Sequence, residues 1–310
     1  KVYAILFAVV TVFATSYFLP GVQANGVAAA VGEAWAVPAW VVALAMVILL
    51  AFIVLGGVKR IATFAVYVVP VMAVLYIILA LIVLFLNFDQ IPEVFGSIFA
   101  SAFGVHAVFG AILGLAIQWG VKRGIYSNEA GQGTGPHHAA AAEVSHPAKQ
   151  GFVQAFAVYI DTLFVCSATA FIILLSNPAY GDGEALGMAV TQGALQQAVG
   201  AWAGPALTVI IFFLAWSSVL GNTYYGEANI RYLAGRHAGP AITVFRVLVL
   251  VCVVGGALGS VALVWNLADT FAALMATINL VAIIPLGGLA VKLLRDYERK
   301  LKAGVDPGFH

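Results

Sequence analysis

Charge is what this sequence has least of. Lys, Arg, Asp and Glu together make up 9% of its 310 residues, where a soluble domain carries about 25%. Apolar residues make up 63%, and the mean hydropathy is +1.04. A folded soluble protein has nowhere to hide so much apolar surface, so lipid must be the solvent for most of this chain. The formal net charge of +1 leaves no electrostatic footprint for a nucleic-acid partner. Cysteine is nearly absent. Cys166 and Cys252 both sit inside apolar runs, which suits small buried hydrophobes better than a disulfide or a zinc site.

Several motifs are missing too. There is no HExxH or GxSxG, and nothing pairs a nucleophile with a base, so the chain is expected not to be an enzyme. The glycine-rich turn GQGTG, residues 131–135, has the look of a phosphate cradle. No Gly-Lys-Ser/Thr follows it, which argues against ATP. His137, His138, Glu143 and His146 share that segment without any zinc spacing, so no metal other than sodium is expected. No Lys or Arg lies mid-span, which excludes a voltage sensor, and no stripe of polar residues is wide enough for a channel pore. The sequence starts at Lys1 and opens straight into an apolar run with no signal-peptide pattern, so N-terminal residues are expected to be missing.

Apolar runs of about 20 residues mark membrane spans. They lie near 3–24, 38–57, 64–87, 100–121, 152–175, 205–230, 241–265 and 270–291, which makes eight. All eight are expected to be helices, because a lipid-facing segment must satisfy its own backbone hydrogen bonds. Barrel strands would be shorter and would alternate in polarity. The basic residues fall at alternate connections: Lys59 and Arg60, then Lys122, Arg123 and Lys149, then Arg231, Arg236 and Arg246, then the run from Lys292 to Lys302. The remaining connections carry Glu33, Asp89, Glu93, Asp182, Glu184 and Asp269 with no Lys or Arg. By the positive-inside rule the basic side is cytoplasmic. That makes 122–150 a cytoplasmic loop and 292–310 a cytoplasmic tail of one transmembrane domain, 1–310, with both ends inside.

Glycine clusters in two spans: Gly104, Gly110, Gly114 and Gly120 in the fourth, Gly221 and Gly226 in the sixth. Such density either lets helices pack closely or marks a discontinuous helix whose open backbone binds a ligand. The broken helix is the expectation for the fourth span, and packing for the sixth. Ionisable residues inside spans are functional candidates by default. Asp161, in the fifth, is either a buried hydrogen-bond partner or a gating or coupling group. Glu227, in the sixth, is expected to reach the interface or pair with Arg231 one turn on. Neutral polar clusters are Gln23 with Asn25, Gln118 with Trp119, and Ser217, Ser218 and Asn222. The two adjacent serines either bond their own helix at i−4 or offer hydroxyl oxygens to a hard cation such as sodium.

The stretch GVKRGIYSNEAGQGTG, followed by an Ala/His-rich run and His146-Pro147, resembles the alanine or glycine:cation symporter family. Gly120, Arg123, Gly124, Ser127, Asn128, Glu129, Ala130, Gly131 and Gly133 match its signature. Further matches run in order: VQAN (22–25), LGGVKRIA (55–62), IDTLFVCSATAFIILLS (160–176) and LGNTYYGEANIRYLAG (220–235). Tyr126 replaces the usual Phe and Thr134 the usual Ser. Gln118-Trp119 stands where the family commonly has Ile-Arg, which removes a positive charge and adds bulk.

The resemblance implies an all-α polytopic membrane protein with a LeuT-like five-plus-five inverted-repeat transporter fold. The chain would begin at the third of ten core helices, so that the first broken helix is missing and this chain alone does not transport. The fourth span would be the broken sixth core helix and the sixth span the eighth. The implied activity is sodium-coupled symport of a small neutral amino acid, alanine or glycine, across a prokaryotic plasma membrane by alternating access. Sodium is the coupling ion, and neither a cofactor nor ATP takes part. Gln23, Gly110, Gly114, Gln118 and Trp119 are the substrate-site candidates, and Ser217 and Ser218 the sodium ligands. Ser127, Asn128, Glu129 and Asp161 form the motif and gating group. Proton coupling through Asp161 or Glu227 is the alternative, and a channel a more remote one.

Overall fold

A computed structural model of the chain describes residues 1–54, 58–103, 109–175, 187–305 and 307–308, with the backbone alone at 58–62, 64–65, 101 and 109–116. Among these residues the protein is helical throughout. The first helix is continuous from Val2 to Trp35 and consists of α1 (Val2–Thr11), a π-helical segment (Val12–Phe18) and α2 (Leu19–Trp35). Then come α3 (Ala39–Val54), α4 (Val58–Leu86), α5 (Ile91–Ala102), α6 (Phe109–Gly124) and the single turn α7 (Gly135–Ala139). A second π-helical segment, Asp161–Cys166, joins α8 (Pro147–Ile160) to α9 (Ser167–Leu175). The chain ends through α10 (Met188–Val199), α11 (Ala203–Ala234), α12 (Ala238–Leu258) and α13 (Val261–Lys302).

Among the described residues, five stretches are long and apolar enough to cross a membrane: Val2–Trp35, Val66–Leu86, Pro147–Leu175, Ala203–Leu258 and Val261–Lys302. The chain is therefore a polytopic, all-helical membrane protein. The large side chains Phe52, Tyr67, Phe85 and Ile284 face outward, as lipid-exposed residues do.

Among the described residues there are four apolar clusters: the two smaller pack α13 on the first helix, and the two larger hold most of the helices together. One gathers Met46 and Leu50 of α3, Val219 and Leu220 of α11, and Phe245 and Val253 of α12 around Ala24 and Val27 of α2. The other gathers Val83 of α4, Ile172 of α9, Leu195 of α10 and Leu207 of α11. The long α11 belongs to both and so joins them. Lipid tails are as apolar as leucine, so these contacts gain from close packing more than from leaving water. Gly21 and Gly256 show how close: a methyl group added at Gly256 would run into the backbone of Gly21. Beside that crossing, Asn25 donates from Nδ2 to the carbonyls of Gly256 (3.0 Å) and Gly259 (2.8 Å). They lie at the end of α12, where carbonyls lack the usual partner four residues on; the Gly256 carbonyl also accepts from Gly259 N at 3.3 Å.

The boundaries depart from the sequence expectation in three places. The first helix runs eleven residues past position 24, to Trp35, because Asn25 is buried and bonded inside the protein rather than ending the span. The turn between the last two helices lies at Gly259–Ser260, not 265–270, and the Ser260 hydroxyl accepts from Leu263 N. Asp269 therefore sits inside α13 and is no connection residue. The fourth expected span divides between α5 and α6. The helix α6 continues unbroken through Gly110, Gly114 and Gly120, so none of these marks a break. Gly104 lies outside the described residues, as do Asp182 and Glu184.

Candidate functional site

The signature turn that follows α6 is held by its own side chains. Asn128 donates from Nδ2 to the Gly124 carbonyl (2.7 Å), closing the end of α6, and to the Thr162 hydroxyl (2.8 Å). Its Oδ1 accepts from Ala130 N at 2.9 Å. One asparagine thus uses both donors and its acceptor. Next to it, the Ser127 hydroxyl donates to Asp161 Oδ1 at 2.8 Å. Both tethers land on the π-helical segment Asp161–Cys166, the kind of irregular turn that often marks a functional site. Gln132, buried, donates to the Ile125 carbonyl at 2.7 Å, and Asn279 of α13 donates to the Gly131 carbonyl at 2.8 Å. Gly133 has φ +93°, and a Cβ there would lie 2.5 Å from Phe7 Cζ and 2.9 Å from Asn279 Cγ. Only glycine fits.

Between this turn, α7, α8 and α13 lies a cavity of about 580 Å³, whose wall includes Asn128, Glu129, His138, Gln154, Asn279 and Ile283. Glu129 is half-buried, with its backbone at φ 55° in the left-handed region. Loss of solvent raises its carboxyl above the usual range. The Thr134 hydroxyl and His138 pull it back, and Asp161 adds to the rise. His138 donates from Nε2 to Gln154 Oε1 (2.8 Å) and accepts at Nδ1 from the Tyr225 hydroxyl (3.2 Å). His137 is oriented in the same way, between the Thr134 carbonyl (3.1 Å) and Asn229 of α11 (2.7 Å).

The other expected residues are dispersed. Gln23 is half-buried on α2, and Gln118 and Trp119 are exposed near the end of α6, where Lys122 Nζ lies 4.8 Å from the Trp119 ring centre. Gln23, Gln118 and Trp119 do not line the cavity. Ser217 and Ser218 both donate to the Leu214 carbonyl, at 2.7 and 3.1 Å, which leaves their oxygen lone pairs open. Asp161 is engaged by Ser127 and, at 3.7 Å, by Cys166 Sγ.

Glu227 has a tighter partner than the expected one. Arg246 Nε lies 2.6 Å from its Oε1, while Arg231 is 3.7 Å from Oε2. Asp269 receives both Lys122 (2.7 Å) and Arg123 (2.8 Å), and the Arg123 guanidinium stacks 4.5 Å from the Trp265 ring centre. His146 starts α8 by accepting from Ala148 N at 3.1 Å, and its Nε2 faces Asp296 at 3.5 Å. The sequence carried no sign of the Arg246 or Asp269 pairings, whose partners lie 19 and about 146 residues away.

The whole chain, residues 1–310, matches the model of the "Sodium:alanine symporter family". It is 40% identical to the "Sodium/proton-dependent alanine carrier protein" of Bacillus sp. (strain PS3), over 96% of this chain and 70% of that protein. It is 43% identical to the "Probable sodium/glutamine symporter GlnT" of Bacillus subtilis (strain 168), over 98% of this chain and 63% of that protein. It is 37% identical to the "Sodium/alanine symporter AgcS" of Methanococcus maripaludis, over 96% and 65%. Against three further bacterial relatives, 42 to 44% identical, the chain spans 64 to 66% of their length, just under two thirds. With its signature turn docked on a π-helical segment and its full length matched, the chain belongs to the sodium:alanine symporter family.

Proposed function

We propose that the protein is a secondary active symporter that takes up a small neutral amino acid, alanine first, with sodium as the coupling ion. The family match over residues 1–310 carries this reading. Relatives named for sodium and alanine support it at 37 and 40% identity. The fold we assign is the LeuT-like five-plus-five inverted repeat in a plasma membrane, with the 122–150 loop and the 292–310 tail on the cytoplasmic side.

A small zwitterion needs donors for its carboxylate and acceptors for its ammonium. Open helix ends and side-chain amides such as Gln23 and Gln118 supply both without a full charge. Gly110 and Gly114 give α6 a flank narrow enough for such a substrate, and Trp119 restricts its size. Sodium takes the open hydroxyl oxygens of Ser217 and Ser218. Its inward gradient drives the cycle, at about 2.3 kcal/mol per charge per 100 mV plus the concentration term. The motif residues Ser127, Asn128, Glu129 and Asp161 govern the inner gate through the tethers to the π-helical segment.

Equilibrium binding of labelled alanine to the purified protein in sodium, and then in potassium, tests this reading. Binding that needs sodium, and that Ser217→Ala with Ser218→Ala shifts to higher sodium concentration, supports it. An unchanged sodium requirement in that double variant removes the two serines from the ion site. Because relatives named for alanine and for glutamine match almost equally well, glutamine belongs in the competition series.

The name of the 40% identical relative includes protons. Proton participation is therefore the second reading.

A further inference from the structure

We propose that Glu129 is the group through which protons act on this transporter, binding and releasing a proton in the cavity between the signature turn, α8 and α13. This rests on the symport reading, and on its placing that turn at the cytoplasmic side.

The geometry removes the other two carboxylates first. Glu227 is 1% exposed and closed between Arg246 and Arg231. A carboxylate so paired gives up two ionic contacts if it is protonated. Both oxygens of Asp161 are engaged, Oδ1 by Ser127 and Oδ2 by Cys166. Glu129 differs on each count. It opens onto a cavity of about 580 Å³, and no Lys or Arg among the described residues lies within ion-pair distance of it.

Among the described residues, the one base in its surroundings is His138, which favours the charged carboxylate; the other groups are neutral or acidic. The turn contributes Thr134 and Tyr126, α7 contributes His138, the π-helical segment contributes Asp161, and α11 contributes Tyr225. From α8 come Gln154, Ala155 and Val158, and from α13 come Asn279 and Ile283, all uncharged. Burial favours the protonated carboxyl over the charged one. The backbone at Glu129 sits at φ 55°, a conformation that non-glycine residues rarely adopt and that the tethers at Asn128 and Gln132 maintain. The fold thus holds a carboxyl with no Lys or Arg partner among the described residues at an open cavity, at a cost in backbone strain.

The two states of Glu129 act differently on the turn. Ionised, its charge faces Asp161, the residue on which Ser127 is docked, and the like charges push the turn from the π-helical segment. Protonated, it removes that repulsion and becomes a donor, and the Ser127–Asp161 and Asn128–Thr162 tethers tighten. The proton passes between cytoplasmic water and the carboxylate oxygen, with no other reactant. Lower cytoplasmic pH then holds the inner gate shut, and higher pH releases it.

The test uses the full-length protein in liposomes with a fixed inward sodium gradient and fixed external pH, while the internal pH is stepped across the neutral range. The expected result is alanine uptake that changes several-fold with internal pH in the wild type. Glu129→Gln loses that response, and Glu129→Asp keeps it with a shifted midpoint. A Glu129→Gln variant that follows the wild-type pH profile overturns the proposal, and so does a wild type indifferent to internal pH. A readout independent of transport and of the variants is labelling of the wild type by a hydrophobic carbodiimide, mapped by mass spectrometry. Labelling at Glu129 that declines as pH rises is expected, and no labelling at any pH overturns the proposal. If wild-type uptake fails altogether, the symport reading falls, and the labelling still decides whether Glu129 carries the proton.

Discussion

Arg246 Nε lies 2.6 Å from Glu227 Oε1, tying α12 to α11 through a carboxylate that is 1% exposed. Removing Arg246 leaves the buried carboxylate only the looser, exposed Arg231 at 3.7 Å. Arg246→Met is expected to cost about 3–5 kcal/mol, the range for breaking a buried pair. Arg246→Met with Glu227→Leu should recover most of that loss, because the poorly compensated buried charge goes too. Thermal unfolding in detergent measures both. A single variant that melts with the wild type would mean that water reaches the pair.

Gly256 and Gly221 make a matched contrast. A methyl group at Gly256 meets the backbone of Gly21, whereas one at Gly221 meets nothing within 4 Å. Gly256→Ala should separate α2 from α12 and reduce the yield of monodisperse protein. Gly221→Ala should be neutral or gain up to about 1 kcal/mol from helix propensity. Size-exclusion profiles of the two variants distinguish them, and similar profiles would contradict the close crossing.

Asn128 closes α6 and fastens the turn to Thr162 with three hydrogen bonds. Asn128→Ala should release the turn, at about 1 kcal/mol for each bond not replaced by water. Hydrogen exchange of the 125–134 amides should rise several-fold while that of α11 stays fixed. Unchanged exchange in the turn would show that the backbone alone holds it.

Asp296, on the charged end of α13 beyond its apolar stretch, is lowered from 3.8 to about 2 by Lys300 and Arg299, with a smaller contribution from His146. A depressed carboxyl contributes its stabilisation above its unfolded value and loses it as pH falls through the folded one. Protection of the last turns of α13 should therefore hold from neutral pH to about 4 and disappear toward pH 2. Asp296→Asn should lack it throughout. Hydrogen exchange of that segment checks both.

The membrane class and most of the helices could be read from apolar run length, because lipid leaves a spanning segment few other options. The boundaries were harder to read where the chain folds polar residues inward. Gln23 and Asn25 look like the end of a span, yet Asn25 is consumed by the carbonyls of Gly256 and Gly259, more than 230 positions away. The turn at 259–260 is followed at once by Val261 to Trp265, so hydropathy runs through it unmarked. The short helix α10 leaves no span signal in the sequence, because it is only 12 residues long and carries three glutamines. Its Gln192 is buried, bonded to the Ala30 carbonyl and the Thr208 hydroxyl.

At the site, the signature SNEAG marks the turn by resemblance alone, but no sequence pattern relates it to the π-helical segment on which it docks. Nor does any pattern separate Glu227, which is sealed, from Glu129, which opens onto the cavity. No spacing rule relates residues 227 and 246 across a helix–turn–helix.

The most direct measurement of the central claim is labelled alanine uptake by the full-length protein in liposomes, with an inward sodium gradient and then with potassium in its place at matched pH. The account predicts accumulation with sodium only, with glycine competing. Equal uptake in potassium that collapses with a protonophore would contradict sodium coupling and leave the proton as the driving ion. No uptake under either condition would contradict alanine as the substrate.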